Sequence, residues 1–308
     1  MVYQFLTFTK TIRGVGSSIW RMTEFAPLTP ELRARLAPGA SREFLRRMEG
    51  RAGLAEADIE AAMTTAPNEK AMGRAARRLR GKPGVVEVVT WRDGNTWRLT
   101  VVDRYATGVD RARPDASGGA VRLFETAALA FRTTLLSFRR RCWPLRDVVT
   151  TTYFDRHAIA RRIERSAIHP GKVSDDQLCR SLARAHCGIR GSLAQVEHAS
   201  GSGRLEAELA ASFPVPCAAT GGLWIVERSD NGTASQDATV VTYLGACQLD
   251  GDQNAFVTAC GDGDFIGALR DYPEAIRRVR WTAAAEARLG QIAAGITPGF
   301  PGAGALTA

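Results

Sequence analysis

Residues 85–103, VVEVVTWRDGNTWRLTVVD, constrain the fold more than any other stretch. Two β-branched runs flank Asp93-Gly94, and such a pair of runs around Asp-Gly reads as a β-hairpin with a tight turn. A chain holding this hairpin is not all-helical. Trp91 and Trp97 lie near the turn, where they stack across it or pack into a core; a base-stacking platform is the other reading.

The rest of the first half reads as helix. TPELRARLAPGASREFLRRMEG holds SREF, with Ser41 as an N-cap and Phe44, Leu45 and Met48 at helical spacing. AEADIEAAMTTAP and NEKAMGRAARRLRG follow, the second capped by Asn68, ended by Gly81 and basic along Arg74, Arg77, Arg78 and Arg80. GVDRARPDASGG (108–119) reads as a polar loop. In AVRLFETAALAFRTTLLSFRRR, Phe124, Ala128, Phe131, Leu135 and Phe138 recur as on one side of a helix. Arg139, Arg140 and Arg141 would then occupy its last turn, where positive charge suits the helix dipole.

The second half opens on TTYFDRHAIARRIERSAIHPGKVSDDQLCRSLARAHCGIRG. A helix over 156–168, capped by Asp155, puts Ala160, Ile163 and Ala167 on one side, with Ile159 at the edge. His157, Arg161, Glu164 and Arg165 fall on the opposite face, where Glu164 is spaced to pair with Arg161. SDDQLCRSLARAHCG is a second helix, capped by Ser174 and ended by Gly188. LWIVER and ATVVTYLGAC read as antiparallel strands, YPEAIRRVRWTAAAEARLGQIAA as a terminal helix, and the Gly/Pro-rich end as a tail.

The expected fold is therefore α+β, with helices packed on a small antiparallel sheet. Residues 1–147 form a mainly helical region with the hairpin, 148–290 an α+β domain, and 291–308 a disordered tail. Apolar runs are short and interrupted, so no membrane span and no membrane partner are expected. The start lacks the pattern of a signal peptide, and a cytoplasmic location is expected.

The net charge is +9, and only four of the 41 basic residues are lysine: Lys10, Lys70, Lys82 and Lys172. A basic chain attracts polyanions, with RNA or another nucleic acid the commonest. Arginine excess beside abundant alanine and glycine also reflects coding composition. Guanidinium is the better phosphate fork, because it is planar and bonds bidentately. The candidate nucleic-acid contacts are Arg139, Arg140, Arg141, Arg156 and Arg162.

Histidine transfers protons near neutral pH, and guanidinium stabilises a phosphorane-like charge. His157, Arg161 and Arg165 therefore suit metal-free RNA cleavage by 2′-hydroxyl attack. The VVTYL strand offers Thr242 or Tyr243 as a hydroxyl donor, but strand neighbours point to opposite faces, so only one of the two joins. HAIARRIER and VVTYL together resemble the helix and late strand of toxin-type ribonucleases of the barnase–EndoU–colicin–RelE-like group. The resemblance covers about residues 150–250 and implies a ribonuclease-like α+β domain, with His157, Arg161, Arg165 and Thr242 or Tyr243 near its cleft. The alternatives are a non-catalytic nucleic-acid-binding or regulatory protein on the same basic surface, and a structural or partner-binding protein whose charge is only compositional; His157 would then only hydrogen-bond a backbone carbonyl, with the arginines solvated. Any protein partner or inhibitor is not specified by these residues.

No cofactor motif is present: there is no Walker A sequence and no GxSxG elbow. Cys179, His186 and Cys187 are metal-ligand types, but neighbours at 186 and 187 diverge on a helix and no zinc spacing appears. Asp250, Asp252, Asp262 and Asp264 are close enough in sequence to suggest magnesium, yet Asp-Gly pairs also make turns. No metal site is therefore expected.

Overall fold

The Asp93-Gly94 hairpin is the outer corner of a much larger sheet. The structure is a computed structural model. It describes residues 29–275 except 51–52, 115–120, 166–173, 204, 206–210, 230–235 and 262. The elements are α1 (Pro30–Met48), α2 (Glu56–Met63), α3 (Glu69–Arg80), β1 (Val85–Asp93), β2 (Thr96–Pro114), β3 (Val121–Arg139) and β4 (Leu145–Asp155). There follow α4 (Arg156–Glu164), α5 (Asp175–Gly201), β5 (Ser212–Cys217), β6 (Gly222–Ser229), β7 (Gln236–Leu244), a 3₁₀ turn, α6 (Gly251–Gly261) and α7 (Phe265–Asp271).

The fold is α+β, but the sheet is neither small nor wholly antiparallel. Seven strands run in the order β1-β2-β3-β4-β7-β6-β5. All pairs are antiparallel except β4 with β7. β4 occupies the position of the expected domain boundary and lies at the sheet's centre, bonded to β3 on one side and β7 on the other.

The largest difference from expectation is the segment ending in Arg139, which is strand rather than helix. Its apolar residues satisfy both periods. Leu129, Phe131 and Thr133 alternate with Ala130, Arg132 and Thr134, and each set faces a different layer. A strand buried on both faces loses its two-residue alternation and mimics a helical stripe. The long pairing with β2, from Thr96↔Arg139 to Pro114↔Val121, decides the outcome. It also takes most of the expected polar loop at 108–119 into β2. Arg139, Arg140 and Arg141 thus sit at the β3–β4 turn, not in a helix end, and Arg141 has a φ of 63°.

The first helix also differs. α1 runs through Pro38, and its cap is Thr29, whose Oγ1 accepts from Leu32 N–H at 3.3 Å. Ser41 is buried mid-helix, with its hydroxyl donating to the Pro38 carbonyl at 3.0 Å. A mid-helix proline costs about 3 kcal/mol, offset here by the burial of Phe44, Leu45 and Met48. α5 likewise continues past Gly188 and stops at 199–203, because Ile189, Leu193 and Val196 beyond the glycine are buried. Other caps lie where the residues put them. Asn68 Oδ1 accepts from Ala71 N–H at 3.0 Å, Gly81 closes α3, and Ser174 forms a capping box with Gln177. The expected terminal helix beyond residue 275 and the tail lie outside the described residues.

Each sheet face has its own core. One carries an aromatic chain: Phe131 and Phe154 at 5.8 Å, Phe154 and Trp224 at 5.5 Å, Trp224 and Tyr243 at 4.6 Å. α5 sets the fully buried His186 ring against Phe131. His186 bonds the hydroxyls of Thr133 at 2.7 Å and Thr152 at 2.8 Å. Burial, helped by Arg190, pushes its pKa down to about 3. The other face is covered on β1–β3 by α2 and α3, where Ile59, Met72 and Leu79 meet Val88, Leu99, Leu136 and Phe138. Among the described residues, no helix is long and apolar enough to cross a membrane.

Candidate nucleic-acid interface

The sequence-predicted residues divide between the two ends of β4. The strand has 11 residues, so at roughly 3.3 Å per residue the two groups are about 33 Å apart.

At the first end β4 leads directly into α4. Asp155 caps the helix as expected, its Oδ1 accepting from Ala158 N–H at 2.7 Å. Ala158, Ile159, Ala160 and Ile163 are buried, and α4 packs against α1 and β7. Ala167 lies outside the described residues, and the helix ends at Glu164, earlier than expected. Arg161 donates to Glu164 at 2.7 Å, the pairing expected from their spacing. His157, Arg161, Arg162 and Arg165 are half-buried, and Arg156 is exposed.

The strand opposite lies close to the helix. The Arg162 guanidinium sits 5.3 Å from the Tyr243 ring centroid. A Cβ on Gly245 would touch the Arg165 Cβ at 3.4 Å. Thr242 and Tyr243 are both buried, 1% exposed each, and face opposite sides of the sheet. The Tyr243 hydroxyl shares a 2.5 Å hydrogen bond with Thr220, and burial pushes its pKa up. The structure thus brings Arg162, Arg165, Tyr243 and Thr220 together. Thr242 lies on the sheet face away from the Tyr243 ring.

At the other end, two turns converge. The turn at Gly94 (φ 55°) and Asn95 has the positive first φ of a type II′ hairpin. Register places Thr96 opposite Arg139 and Trp97 opposite Phe138, so the β1–β2 turn adjoins the β3–β4 turn. Arg139, Arg140, Arg141 and Trp143 are exposed there, Trp143 at 91%. Trp91 and Trp97 do not stack on each other. Trp91 pairs across with Arg98 and Trp97 with Arg92, which puts the two rings on opposite faces. Each indole carries a guanidinium instead, Arg98 at 5.1 Å from Trp91 and Arg92 at 5.8 Å from Trp97. Arg98 also bonds Asp93 at 3.2 Å. Five arginines and three tryptophans therefore share one end of the sheet. Of these, Arg139–141 stood out in sequence as a contact run and Trp91 and Trp97 as a stacking pair; Trp143 carried no local signal, since its exposure follows from the turn.

A polar network on the sheet face that carries α2 and α3 was also missed. Asp103, fully buried, accepts from Arg132 at 3.1 and 2.9 Å and from Leu54 N–H at 3.0 Å. Arg132 lies 5.5 Å from the Tyr105 ring centroid, and burial pushes the Tyr105 phenol up to about 12. The acids that suggested magnesium act partly as caps: Asp250 accepts from Gln253 N–H at 2.9 Å and Asp264 from Gly267 N–H at 2.8 Å. Among the described residues, no cluster of three or more His, Cys, Asp or Glu side chains is placed to hold a metal ion.

Comparison of the chain with protein-family models, with curated proteins and with solved structures finds no match.

Proposed function

We propose that this protein binds RNA or another single-stranded nucleic acid at the turn end of its sheet. The observation that carries the reading is the convergence of Arg92, Arg98, Arg139, Arg140 and Arg141 with the exposed indole of Trp143. Arginines supply the sequence-independent phosphate attraction. Exposed indoles offer faces on which unpaired bases stack, worth about 1–3 kcal/mol per base. A ring 91% exposed contributes little to the protein's own core.

The test is fluorescence anisotropy of a labelled oligouridylate titrated with the full chain. Binding that weakens as salt rises, and that weakens again when Arg139, Arg140 and Arg141 are neutralised, supports the reading. Salt-independent binding, or none at low salt, refutes it.

A second reading, a metal-independent endoribonuclease, draws on the packing of α4 against β7. That packing brings Arg162 to 5.3 Å from the Tyr243 ring centroid and Arg165 beside Gly245 at the same strand's end. In this scheme His157 takes the 2′-hydroxyl proton, the oxygen attacks phosphorus, and a hydroxyl donor protonates the leaving 5′-oxygen. Arg161 and Arg165 stabilise the added charge. Cleavage of RNA in EDTA, lost in His157→Ala and in Arg161→Ala with the fold intact, supports this scheme; intact RNA after prolonged incubation refutes it.

A further inference from the structure

A groove opens on the sheet beside the arginine end. It has a volume of about 360 Å³ and is lined by Val89, Trp91, Leu135 and Val149, with Glu87 and Arg190 also at its walls. Glu87, Val89 and Trp91 project from β1 to the same side, because residues two apart on a strand share a face. Arg190 comes from α5. Val89 and Trp91 are each 43% exposed, so the groove is reached from solvent.

Its chemistry is that of a flat ring with a polar edge. The walls are mostly aliphatic and aromatic, and the charged groups are one carboxylate and one guanidinium; the Thr100 and Thr133 hydroxyls also line it, bonded to Trp91 and His186. Glu87 and Arg190 both line this one groove, one from the strand and one from the helix. Neither side chain makes a hydrogen bond or ion pair with another described residue, whereas Arg98, on the same sheet face, is paired with Asp93. A carboxylate and a guanidinium that share a groove without pairing with each other suit a ligand edge offering both donors and acceptors.

We infer that this groove receives one base of the bound strand and prefers guanine. The inference rests on the nucleic-acid reading above. The Trp91 wall of the groove is the same indole that carries Arg98 at the arginine end, so a strand held by those arginines passes its mouth. Guanine presents adjacent N1–H and N2–H donors, which a carboxylate accepts in pairs, and O6 and N7 acceptors, which arginine satisfies. Adenine lacks the paired donors, and uracil offers a single N–H on that edge. The apolar walls cover the ring faces.

The experiment compares three labelled oligouridylates binding the full chain: one with a single internal guanosine, one with adenosine there, one unsubstituted. The guanosine strand is expected to bind about tenfold tighter than the others, the lower end of one well-made base contact. Glu87→Gln and Arg190→Gln should each bring that ratio to within about twofold. Equal affinity for all three strands, or a guanosine preference untouched by both substitutions, overturns the inference and leaves the arginine reading standing. Absence of binding to every strand removes both.

Discussion

Thr96 stands directly opposite Arg139 in the β2–β3 register. This one pairing joins two turns more than forty residues apart in the chain and builds the arginine end of the sheet.

The arginine run is the first place to perturb it. Arg141 has a φ of 63°, a conformation asparagine tolerates better than most side chains. The suitable variant is therefore Arg139→Gln with Arg140→Gln and Arg141→Asn. Each lost phosphate contact lowers the salt slope by about 0.7 on a single strand, so the triple variant should lower it by roughly 2. Anisotropy at several salt concentrations measures the slope, and unfolding in urea should be unchanged.

Trp143→Ala should weaken oligouridylate binding about tenfold with no change in stability, since stacking is worth about 1–3 kcal/mol and the ring touches little of the core. Anisotropy and thermal unfolding separate the two effects.

His186 gives a pH dependence with a definite sign. Its folded pKa, about 3, lies below the ordinary value of 6.5. Below pH 6.5 the unfolded chain binds a proton that the folded chain refuses. Its stability contribution is therefore intact above pH 6.5 and is lost as pH falls toward 3. The slope from this group approaches about 1.4 kcal/mol per pH unit. Urea unfolding between pH 7 and 4 should show it, and His186→Leu should flatten that part of the profile while lowering stability at neutral pH, because Thr133 and Thr152 lose their partner.

Asp103→Ala leaves the Arg132 guanidinium and the Leu54 N–H without their shared acceptor. Removing one member of a buried pair costs about 3–5 kcal/mol. The partial exposure of Arg132, 23%, argues for the lower figure. Asp103→Ala with Arg132→Met should recover part of the loss, measured by chemical denaturation.

Gly222→Ala would place a Cβ 2.5 Å from the Tyr243 hydroxyl and against the Leu244 carbonyl. The strain should cost about 1–3 kcal/mol and disturb the Tyr243–Thr220 bond. Thermal unfolding measures the first, and a spectrophotometric phenolate titration compared with that of Tyr243→Phe the second.

Local chemistry was legible where the signal was local. The Asp93-Gly94 turn, the Asn68, Asp155 and Ser174 caps and the Arg161–Glu164 pair all follow from a few adjacent residues. The segment from 121 to 139 was not, because burial on both faces erased the alternation that marks a strand. Its misreading hid the sheet's size and turned an exposed arginine turn into a helix end. Pro38 and Gly188 read as breaks because their intrinsic cost is visible in sequence, while the burial that outweighs it is not. The α4 face carrying His157 and Arg161 could be drawn from helical spacing, but its distance from β7 depends on a parallel pairing between β4 and β7 across some eighty residues.

Photo-crosslinking tests the central claim most directly. A 4-thiouridine-substituted oligouridylate is bound to the full chain, irradiated and mapped by mass spectrometry. The account predicts adducts in the turn peptides around Trp91 to Arg98 and Arg139 to Trp143. Adducts confined to α4 and the Tyr243 strand, with none at either turn, would contradict it.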